Sequence, residues 1–324
     1  MNAIETSNLS RVFGTRTAVD DLNLEISEGT VFGFLGPNGA GKTTTVRMLT
    51  SLIAPTRGTA MVGGFQLGKE DKSIRRSVGI LTETPGLYDR LSAKQNLMYF
   101  ARLYEVSAKQ AALDIERYLR LLSLWDRRDE KVGSFSKGMR QKLAIVRAVL
   151  HEPKIIFLDE PTSGLDPEAT RIVRDFIKEL RGAGRTIFLT THNLPEAEEL
   201  CDLVGVFQVK LMRVGAPASL GQSLFGRGTI IRVAGPAALW LEAVRALPFV
   251  RLVTAQAETL DVGLDEPDRE NPFLVRCLVN AGAEIREVSA KVHSLEAAYL
   301  ELIDGDRSAL SDLAGRLGKG VPNH

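Results

Sequence analysis

The spacing of apolar residues divides the chain into two parts near residue 215. In the first part, short continuous apolar runs alternate with segments in which apolar residues recur every three or four positions. The runs are typical of buried strands and the segments of amphipathic helices, and their alternation predicts an α/β fold with a mostly parallel sheet. We assign central strands to residues 30–35, 78–82, 155–158 and 186–190.

Two regions of the first part depart from this alternation. Residues 1–35 predict short strands with a hairpin turn near Phe13, and the glycines of residues 57–70 predict a small hairpin region, so that together they form a β-subdomain. Helical periodicity follows, beginning at a capping box formed by Ser92 and Gln95. We interpret residues 86–135 as a helical insertion between strands of the α/β core.

The second part of the chain has a different order of predicted strands and helices. Glycines in residues 216–228 predict a linker that ends the first domain at residue 215. Residues 229–303 then follow the order strand, helix, strand, strand, helix, strand and terminal helix, which predicts a small α+β domain of the ferredoxin-like kind. Residues 304–324 are polar and glycine-rich and predict a flexible tail.

Composition narrows the class of protein. The 324 residues are long for one domain, which agrees with two. Forty-one basic and 40 acidic side chains give a net charge of +1, so there is no electrostatic reason to expect binding to nucleic acid or to an anionic membrane. The two cysteines, Cys201 and Cys277, lack metal-ligand spacing and predict buried thiols in a reducing compartment.

The sequence also bears on location. The N-terminus has neither the basic nor the apolar region of a secretory signal, and no apolar run approaches the roughly 18 residues of a membrane-spanning helix. We therefore expect a cytoplasmic protein. A role at a membrane would require docking onto another polypeptide.

The most specific chemical signal is the segment Gly-Pro-Asn-Gly-Ala-Gly-Lys-Thr between a predicted strand and a helix-forming run. It matches the phosphate-binding loop pattern, in which backbone N–H groups, a helix N-terminus and the Lys42 ammonium hold a polyphosphate. The Thr43 hydroxyl would bind Mg²⁺. An ordinary glycine-rich turn is the alternative. The residues assigned to the nucleotide are Gly36, Pro37, Asn38, Gly39, Ala40, Gly41, Lys42, Thr43 and Thr44.

Two carboxylates end the apolar run 155–158, at the sheet edge where open α/β folds bind ligands. Asp159 would hold Mg²⁺ through its water shell, and Glu160 would orient and deprotonate an attacking water. Phosphoryl transfer needs positioning and charge neutralisation, and these residues together with the phosphate loop supply both. The alternative for the pair is a solvated turn.

In this order the motifs resemble those of the ATP-binding subunit of an ATP-binding-cassette (ABC) transporter, and the resemblance covers roughly residues 3–215. Gly36–Thr43 matches the Walker A motif and Ile155–Asp159 matches Walker B, with Glu160 as the expected catalytic base. His192 matches the switch histidine, which would contact the γ-phosphate. The resemblance thus implies ATP and Mg²⁺ as ligands, with Glu160, His192 and Lys42 as catalytic residues.

Three further matches to the family's motifs are less specific. Phe13 occupies the position of the aromatic residue that stacks on adenine, although a hairpin aromatic would look the same. Asp166 matches the D-loop aspartate, and it is also a suitable N-cap for the helix that Pro167 opens. Residues 135–139 stand where the family has Leu-Ser-Gly-Gly-Gln. In this motif Ser136 and Gly138 are kept, while Lys137 and Met139 differ.

The signature motif implies a second copy of the chain. One polypeptide does not need two phosphate-binding helix starts for one nucleotide. In the family two cassettes face each other head to tail, so the resemblance implies that Ser136 of one copy closes over the ATP bound at Lys42 of the other. It also implies a separately encoded membrane permease as a partner, which would hold the protein at the inner face of the cell membrane, and no nucleic acid.

One departure concerns the loop after residues 78–82. The family commonly has glutamine there, whereas this chain has Glu83. A carboxylate can still bind Mg²⁺ but cannot donate an amide N–H, so hydrolysis would be slower or differently coupled. This loop and the helices of residues 92–124 correspond to the surface where the family's permeases insert a coupling helix, with Tyr88 and Leu91 at its start.

Residues 229–303 are similar to the accessory domain of bacterial drug- and antibiotic-export ATPases, and the segment 294–300 resembles its terminal helix. We therefore expect an ATPase subunit that energises export of a drug, antibiotic or other small molecule. The accessory domain would support dimerisation, regulate activity or pack against the partner. Two alternatives are a soluble ABC protein acting on nucleic acid or ribosomes and, because of Glu83, a weakly hydrolysing nucleotide-gated regulator.

Overall fold

The elements of the first unit, which comprises Met1–Ala216, combine two sheets with a helical region. The structure, a computed structural model, describes residues 1–225, 227–291 and 294–303. In chain order the elements of this unit are β1 (Asn2–Phe13), β2 (Arg16–Ser27), β3 (Val31–Leu35), α1 (Lys42–Leu49), β4 (Arg57–Val62), β5 (Phe65–Gln66), α2 (Asp71–Ser77), β6 (Val78–Leu81), α3 (Ala93–Leu103), α4 (Ala108–Leu121), α5 (Lys137–Val149), β7 (Ile155–Asp159), α6 (Pro167–Gly182), β8 (Thr186–Thr191), α7 (Leu194–Leu200), β9 (Leu203–Gln208) and β10 (Lys210–Gly215).

The continuous apolar runs form a six-stranded sheet with the order β10-β9-β3-β8-β7-β6. All neighbouring strands are parallel except β10, which is antiparallel to β9. The predicted α/β class with a mostly parallel sheet is therefore confirmed. Because the carboxyl ends of parallel strands meet at one edge, the segments that follow β3, β7 and β8 converge there.

Phenylalanine side chains fill the core of this sheet. Five of them are fully buried, and neighbouring rings among these five have centroids 4.5–6.3 Å apart. Burial of each such side chain stabilises the fold by about 1.5–3 kcal/mol, which keeps the strand ends at the site edge in fixed positions. They are Phe32, Phe34, Phe157, Phe188 and Phe207.

The second sheet of the first unit is antiparallel, with the order β2-β1-β4-β5. The helical region consists of α3, α4 and the first turns of α5, with 3-10 turns at Trp125–Arg127 and Val132–Ser134. The predicted capping box is present, because the Ser92 side chain accepts from Gln95 N and the Gln95 side chain accepts from Ser92 N.

The second unit begins at Pro217. Its elements are α8 (Pro217–Phe225), β11 (Arg227–Val233), a 3-10 turn (Ala237–Trp240), α9 (Leu241–Arg245), β12 (Leu252–Gln256), β13 (Thr259–Leu264), α10 (Pro267–Asn280) and β14 (Ile285–Ala290), and residues 295–303 are helical. From β11 onward the order is β-α-β-β-α-β, as the periodicity predicts. The strands form an antiparallel sheet in the order β12-β13-β11-β14.

The residues predicted as a linker, 216–228, contain regular secondary structure. Helix α8 occupies most of it and β11 begins within it. Pro217 suits the first position of a helix, and Leu220 is buried. These two features outweigh Gly221, whose presence in a helix costs about 1 kcal/mol. The predicted tail, 304–324, lies outside the described residues.

Helix length and hydropathy bear on membrane insertion. Across residues 1–225, 227–291 and 294–303, none of the helices combines the length and the apolar character needed to cross a membrane.

Candidate active site

The phosphate loop connects β3 to α1 at the carboxyl edge of the parallel sheet. Gly41 has φ 109°, in the left-handed region that side chains disfavour. A Cβ there would overlap the carbonyl oxygen of Ala18, and a Cβ on Gly36 would overlap that of Phe207. Within the described part of the chain, no side chain caps the N-terminus of α1. The first N–H groups of this helix are therefore free for an anion.

Lys42 connects the loop to the carboxylates. Its side chain is only 6% exposed, and Nζ donates to the carbonyl oxygens of Gly36, at 2.7 Å, and Pro37, at 3.3 Å. The same Nζ lies 3.5 Å from Glu160 Oε1. The ammonium is thus held between the loop backbone and the end of β7, where it can serve a phosphate and a carboxylate together.

Asp159 and Glu160 have different surroundings. Asp159 is buried and accepts from the Thr190 hydroxyl on the neighbouring strand β8. Glu160 has φ 52°, and its backbone N–H donates to the Thr190 carbonyl oxygen at 3.1 Å. This left-handed turn directs the two carboxylates differently, so the buried one is fixed and the other extends into the cavity.

The Glu160 carboxylate is also bound to His192. The imidazole Nδ1 lies 2.8 Å from Glu160 Oε2. Since a carboxylate can only accept, Nδ1 carries the proton in this contact, and in neutral histidine Nε2 is then the basic nitrogen. The imidazole is 54% exposed, whereas the carboxylate is 21% exposed. Glu160 therefore lies between a cation and an N–H donor.

These side chains surround one cavity of about 850 Å³, which is within the usual range of small-molecule sites. Most of the predicted site residues contribute to its wall. The predicted residues that line it are Phe13, Asn38, Gly39, Ala40, Gly41, Lys42, Thr43, Thr44, Glu83, Lys137, Asp159, Glu160 and His192.

Other predicted residues lie outside this wall. Gly36 and Pro37 act through their carbonyl oxygens on Lys42. Ser136 caps α5, with its hydroxyl accepting from Met139 N at 3.2 Å, and Gly138 lies in the first turn of that helix. Asp166 caps α6 by accepting from Ala169 N at 2.8 Å. The roles predicted for these residues between two copies stay predictions.

Phe13 and Glu83 reach the cavity from opposite parts of the first unit. The Phe13 ring is 45% exposed, and the Arg11 guanidinium lies 4.5 Å from its centroid, which covers one face. Glu83 is exposed in the loop after β6. With Asp159 and the Thr43 hydroxyl, it gives the cavity the oxygen donors that Mg²⁺ prefers. These donors fit the ion.

The structure adds residues that the motifs do not identify. Arg16 Nη2 donates to the Gly39 carbonyl oxygen at 3.2 Å and so supports the phosphate loop. Gln141 is buried, and its amide donates to the Pro161 carbonyl oxygen at 3.1 Å, which ties α5 to the segment after Glu160. Both residues line the cavity. Their only sequence signal is their proximity to a predicted motif.

Comparison with known proteins agrees with this geometry. The family model for ABC transporters matches residues 19–163. The linearmycin resistance ATP-binding protein LnrL of Bacillus subtilis (strain 168) is 32% identical over 305 residues, which cover 92% of this chain and 97% of that protein. The daunorubicin resistance ATP-binding protein DrrA3 of Streptomyces coeruleorubidus is 34% identical over 310 residues, which cover 94% and 97%.

Solved structures show the same fold. An ATP-binding subunit of an ABC transporter has a TM-score of 0.64 and 31% identity, covering 69% of this chain and 93% of that chain. A dimeric cassette with ADP and Pi bound has a TM-score of 0.60 and 23% identity, covering 66% and 98%. Because similarity to the curated relatives extends over nearly the whole chain, the protein belongs to the ABC transporter family as one of its ATP-binding subunits, which are ATPases.

Proposed function

We propose that this ATPase works as a head-to-tail dimer around two ATP molecules and drives a separate membrane permease that exports an antibiotic, a drug or a similar small molecule. The observation that carries the proposal is the convergence of Lys42, Asp159, Glu160 and His192 on one cavity, while Ser136, the N-cap of α5, is not among the residues that line it. The names of LnrL and DrrA3, both resistance ATP-binding proteins, support the class of transported molecule.

In the proposed binding mode, the N–H groups of the phosphate loop and of the first turn of α1 hold the ATP phosphates. Lys42 exchanges contacts with two carbonyl oxygens for contacts with phosphate oxygens, which are stronger acceptors. The adenine stacks on the Phe13 face that the Arg11 guanidinium leaves open.

Thr43 and Asp159, with Glu83 as a further oxygen donor, would hold Mg²⁺. When bound, this ion neutralises phosphate charge. Asp159 suits the role because its Thr190 hydrogen bond fixes the carboxylate in a buried position.

For hydrolysis we assign the base to Glu160. The oxygen of the attacking water forms a bond to the γ-phosphorus as the bond from this phosphorus to the β–γ bridging oxygen breaks. The water gives a proton to Glu160, and the products are ADP and phosphate. The Nδ1–H of His192 orients the carboxylate, and Lys42 neutralises charge beside it. With Nδ1 committed to Glu160, Nε2 can donate to a γ-phosphate oxygen only from the imidazolium form, in which both ring nitrogens carry protons.

Closure by a second copy uses the N-terminus of α5. Ser136 and the N–H groups in the first turn of this 13-residue helix form an anion-binding site. Asp166 lies at the end of the loop that follows Glu160, and both would contact the partner copy. ATP then acts as an interface ligand, and hydrolysis opens the dimer.

The permease would dock beside the Glu83 loop. Tyr88 and Tyr99 are 47% and 41% exposed, with ring centroids 5.1 Å apart, and both pack against Phe100. Leu103 extends this aromatic patch on α3 and is 60% exposed. A patch of this kind suits an apolar segment of a membrane partner, which would keep the protein at the inner face of the membrane.

The assignment of Glu160 is tested with Glu160→Gln. The loss of a general base lowers ATP turnover by about 10²–10⁴-fold, while ATP still binds and dimers accumulate. Glu116→Gln is the matched control, because Glu116 lies on the surface of α4 in an ion pair with Arg120. Unchanged turnover in Glu160→Gln would contradict the assignment.

Permease docking needs a separate experiment. Tyr99→Arg should reduce co-purification with the coexpressed permease while the isolated protein keeps its ATPase activity. Val214→Arg is the control, because Val214 is also 41% exposed but lies on β10, outside residues 92–124. Equal recovery of the permease with both variants would place the docking surface elsewhere.

A further inference from the structure

A buried carboxyl group connects two segments of the active site that are distant in sequence. Glu196 lies on α7 and is fully buried. Its Oε1 accepts from the Thr162 hydroxyl at 2.7 Å, and its Oε2 accepts from the Thr191 hydroxyl at 2.9 Å. Thr162 follows Glu160 by two residues, and Thr191 immediately precedes His192.

These contacts give Glu160 and His192 a second connection, in addition to their direct hydrogen bond. From Glu160 the chain leads to Thr162, whose hydroxyl binds Glu196, and Glu196 binds Thr191. His192 follows Thr191 and returns to Glu160 through the 2.8 Å contact of Nδ1. The catalytic base and the switch histidine are therefore joined both directly and through the buried carboxyl.

The surroundings of Glu196 argue against a purely packing role. Burial raises the pKa of Glu196, and Arg174 Nε is 3.9 Å from Oε1 while its Nη1 binds Glu199 at 2.8 Å. A buried carboxyl is unfavourable unless its partners satisfy it, so an apolar side chain would fill this space at less cost. Both carboxyl oxygens accept from hydroxyls that flank catalytic segments, which an apolar residue could not do.

The loop after Glu160 is compact and can transmit a displacement. Ser163 N donates to the Glu160 carbonyl oxygen and Leu165 N to that of Thr162, both at 3.2 Å. The loop leads directly to Asp166, the cap of α6. A displacement of this loop would therefore move Thr162 and, through the hydrogen bonds of Glu196, also Thr191.

We propose that Glu196 is a positioning residue that couples the loop 161–166 to His192, so that contact of this loop with the second copy sets the imidazole against Glu160. The proposal rests on the roles assigned to Glu160, His192 and the dimer under Proposed function. Glu196 itself touches no substrate. Its effect is to keep the loop and the histidine in one arrangement.

A double-mutant cycle tests this coupling. Thr162→Val and Thr191→Val each remove one hydroxyl of the link while keeping the shape of the side chain. Loss of one hydrogen bond to the buried carboxyl should lower kcat by about tenfold in each variant, with the KM for ATP changed by less than about threefold. Because either change breaks the same link, the double variant should also lose about tenfold rather than about a hundredfold.

Conservative variants separate coupling from folding. Thr162→Ser and Thr191→Ser keep the hydroxyl and should retain kcat within about twofold, and the thermal midpoint of each valine variant is compared with that of the wild type. Glu199→Gln is the control on α7. It removes a charge that shares Arg174 but makes no threonine contact, so kcat should stay unchanged.

Two outcomes are distinguished by including Glu160→Gln. The coupling through Glu196 is wrong if Glu160→Gln loses turnover and the two valine variants do not. It is also wrong if the losses of the two valine variants multiply in the double variant. In both cases the proposed function stands. If Glu160→Gln keeps full turnover, the assigned base is wrong and the coupling fails with it.

Discussion

His192 donates from Nδ1 to Glu160 Oε2 over 2.8 Å. The other oxygen of this carboxylate lies 3.5 Å from the Lys42 ammonium. Without this N–H donor the carboxylate would turn toward the Lys42 ammonium. The imidazole therefore determines where the base points.

His192→Ala removes this donor and the γ-phosphate contact. We expect kcat for ATP to fall by about 10²–10³-fold, since positioning of a general base contributes on this scale, while ATP affinity changes by less than about threefold. Steady-state ATPase assays and binding of a fluorescent ATP analogue measure the two effects. His151→Phe, which changes a histidine stacked on Tyr104, should keep normal activity. A loss confined to ATP affinity would contradict the positioning role.

Lys42→Ala should abolish both ATP binding and ATP-dependent dimerisation. The side chain is the buried cation next to the phosphate loop, so its removal leaves the phosphates without a charged partner. Size-exclusion chromatography with and without ATP reports the dimer. Lys72→Ala, an exposed lysine of α2, is the control. Dimers of Lys42→Ala that still form in response to ATP would refute the composite site.

The motifs near β3 and β7 could be predicted because each is local. An apolar run followed by fixed glycines and a lysine specifies both the strand and the loop, and Asp159 ends its strand with Glu160 directly after it. The link through Glu196 could not be predicted in this way. In sequence, Glu196 is an ordinary acidic residue in the first turn of a helix, and only the tertiary fold brings Thr162 to it.

The helix within the predicted linker has a related cause. Glycine content reports the freedom of the isolated backbone, whereas the burial of Leu220 depends on its neighbours in the fold. Arg16 is similar, because it becomes part of the site only when β2 lies beside the phosphate loop. Local patterns therefore predict the strands and the class of ligand. Which residues support the site depends on contacts between segments that are distant in sequence.

Gly41→Ala tests the steric requirement of the phosphate loop. The new methyl group would meet the Ala18 carbonyl oxygen at a residue with φ 109°. We expect a loss of about 1–3 kcal/mol of folding free energy and no detectable ATP binding, because the loop must shift.

Gly182→Ala is the matched change at the end of α6, where a Cβ would meet no atom within 4 Å. It should stabilise the protein by about 0.5–1 kcal/mol and leave ATP binding unchanged. Thermal unfolding and nucleotide titration of the two variants provide the measurements. Normal ATP binding by Gly41→Ala would show that the loop tolerates a side chain there.

His151 gives the first unit a pH-dependent contribution to stability. Its ring stacks on Tyr104 with centroids 3.7 Å apart, and Nε2 lies 3.1 Å from the Val78 carbonyl oxygen, to which it donates. Burial lowers the pKa of His151 to about 4, and the hydrogen bond to Val78 opposes this shift without cancelling it. The folded protein therefore keeps this imidazole neutral at pH values where an unfolded chain protonates it.

The sign of the effect follows from this difference in pKa. Between the unfolded value of 6.5 and the folded value of about 4, the unfolded state binds a proton that the folded state does not, so stability is lost as the pH falls through this interval. From about pH 7.5 to about pH 5 the loss attributable to His151 is about 2 kcal/mol, or about 4–8 °C in the thermal midpoint. His151→Phe keeps a flat ring against Tyr104 and removes the titration. The midpoint of the wild type should fall by this amount relative to His151→Phe over the same pH interval, and parallel curves for the two proteins would contradict the assignment.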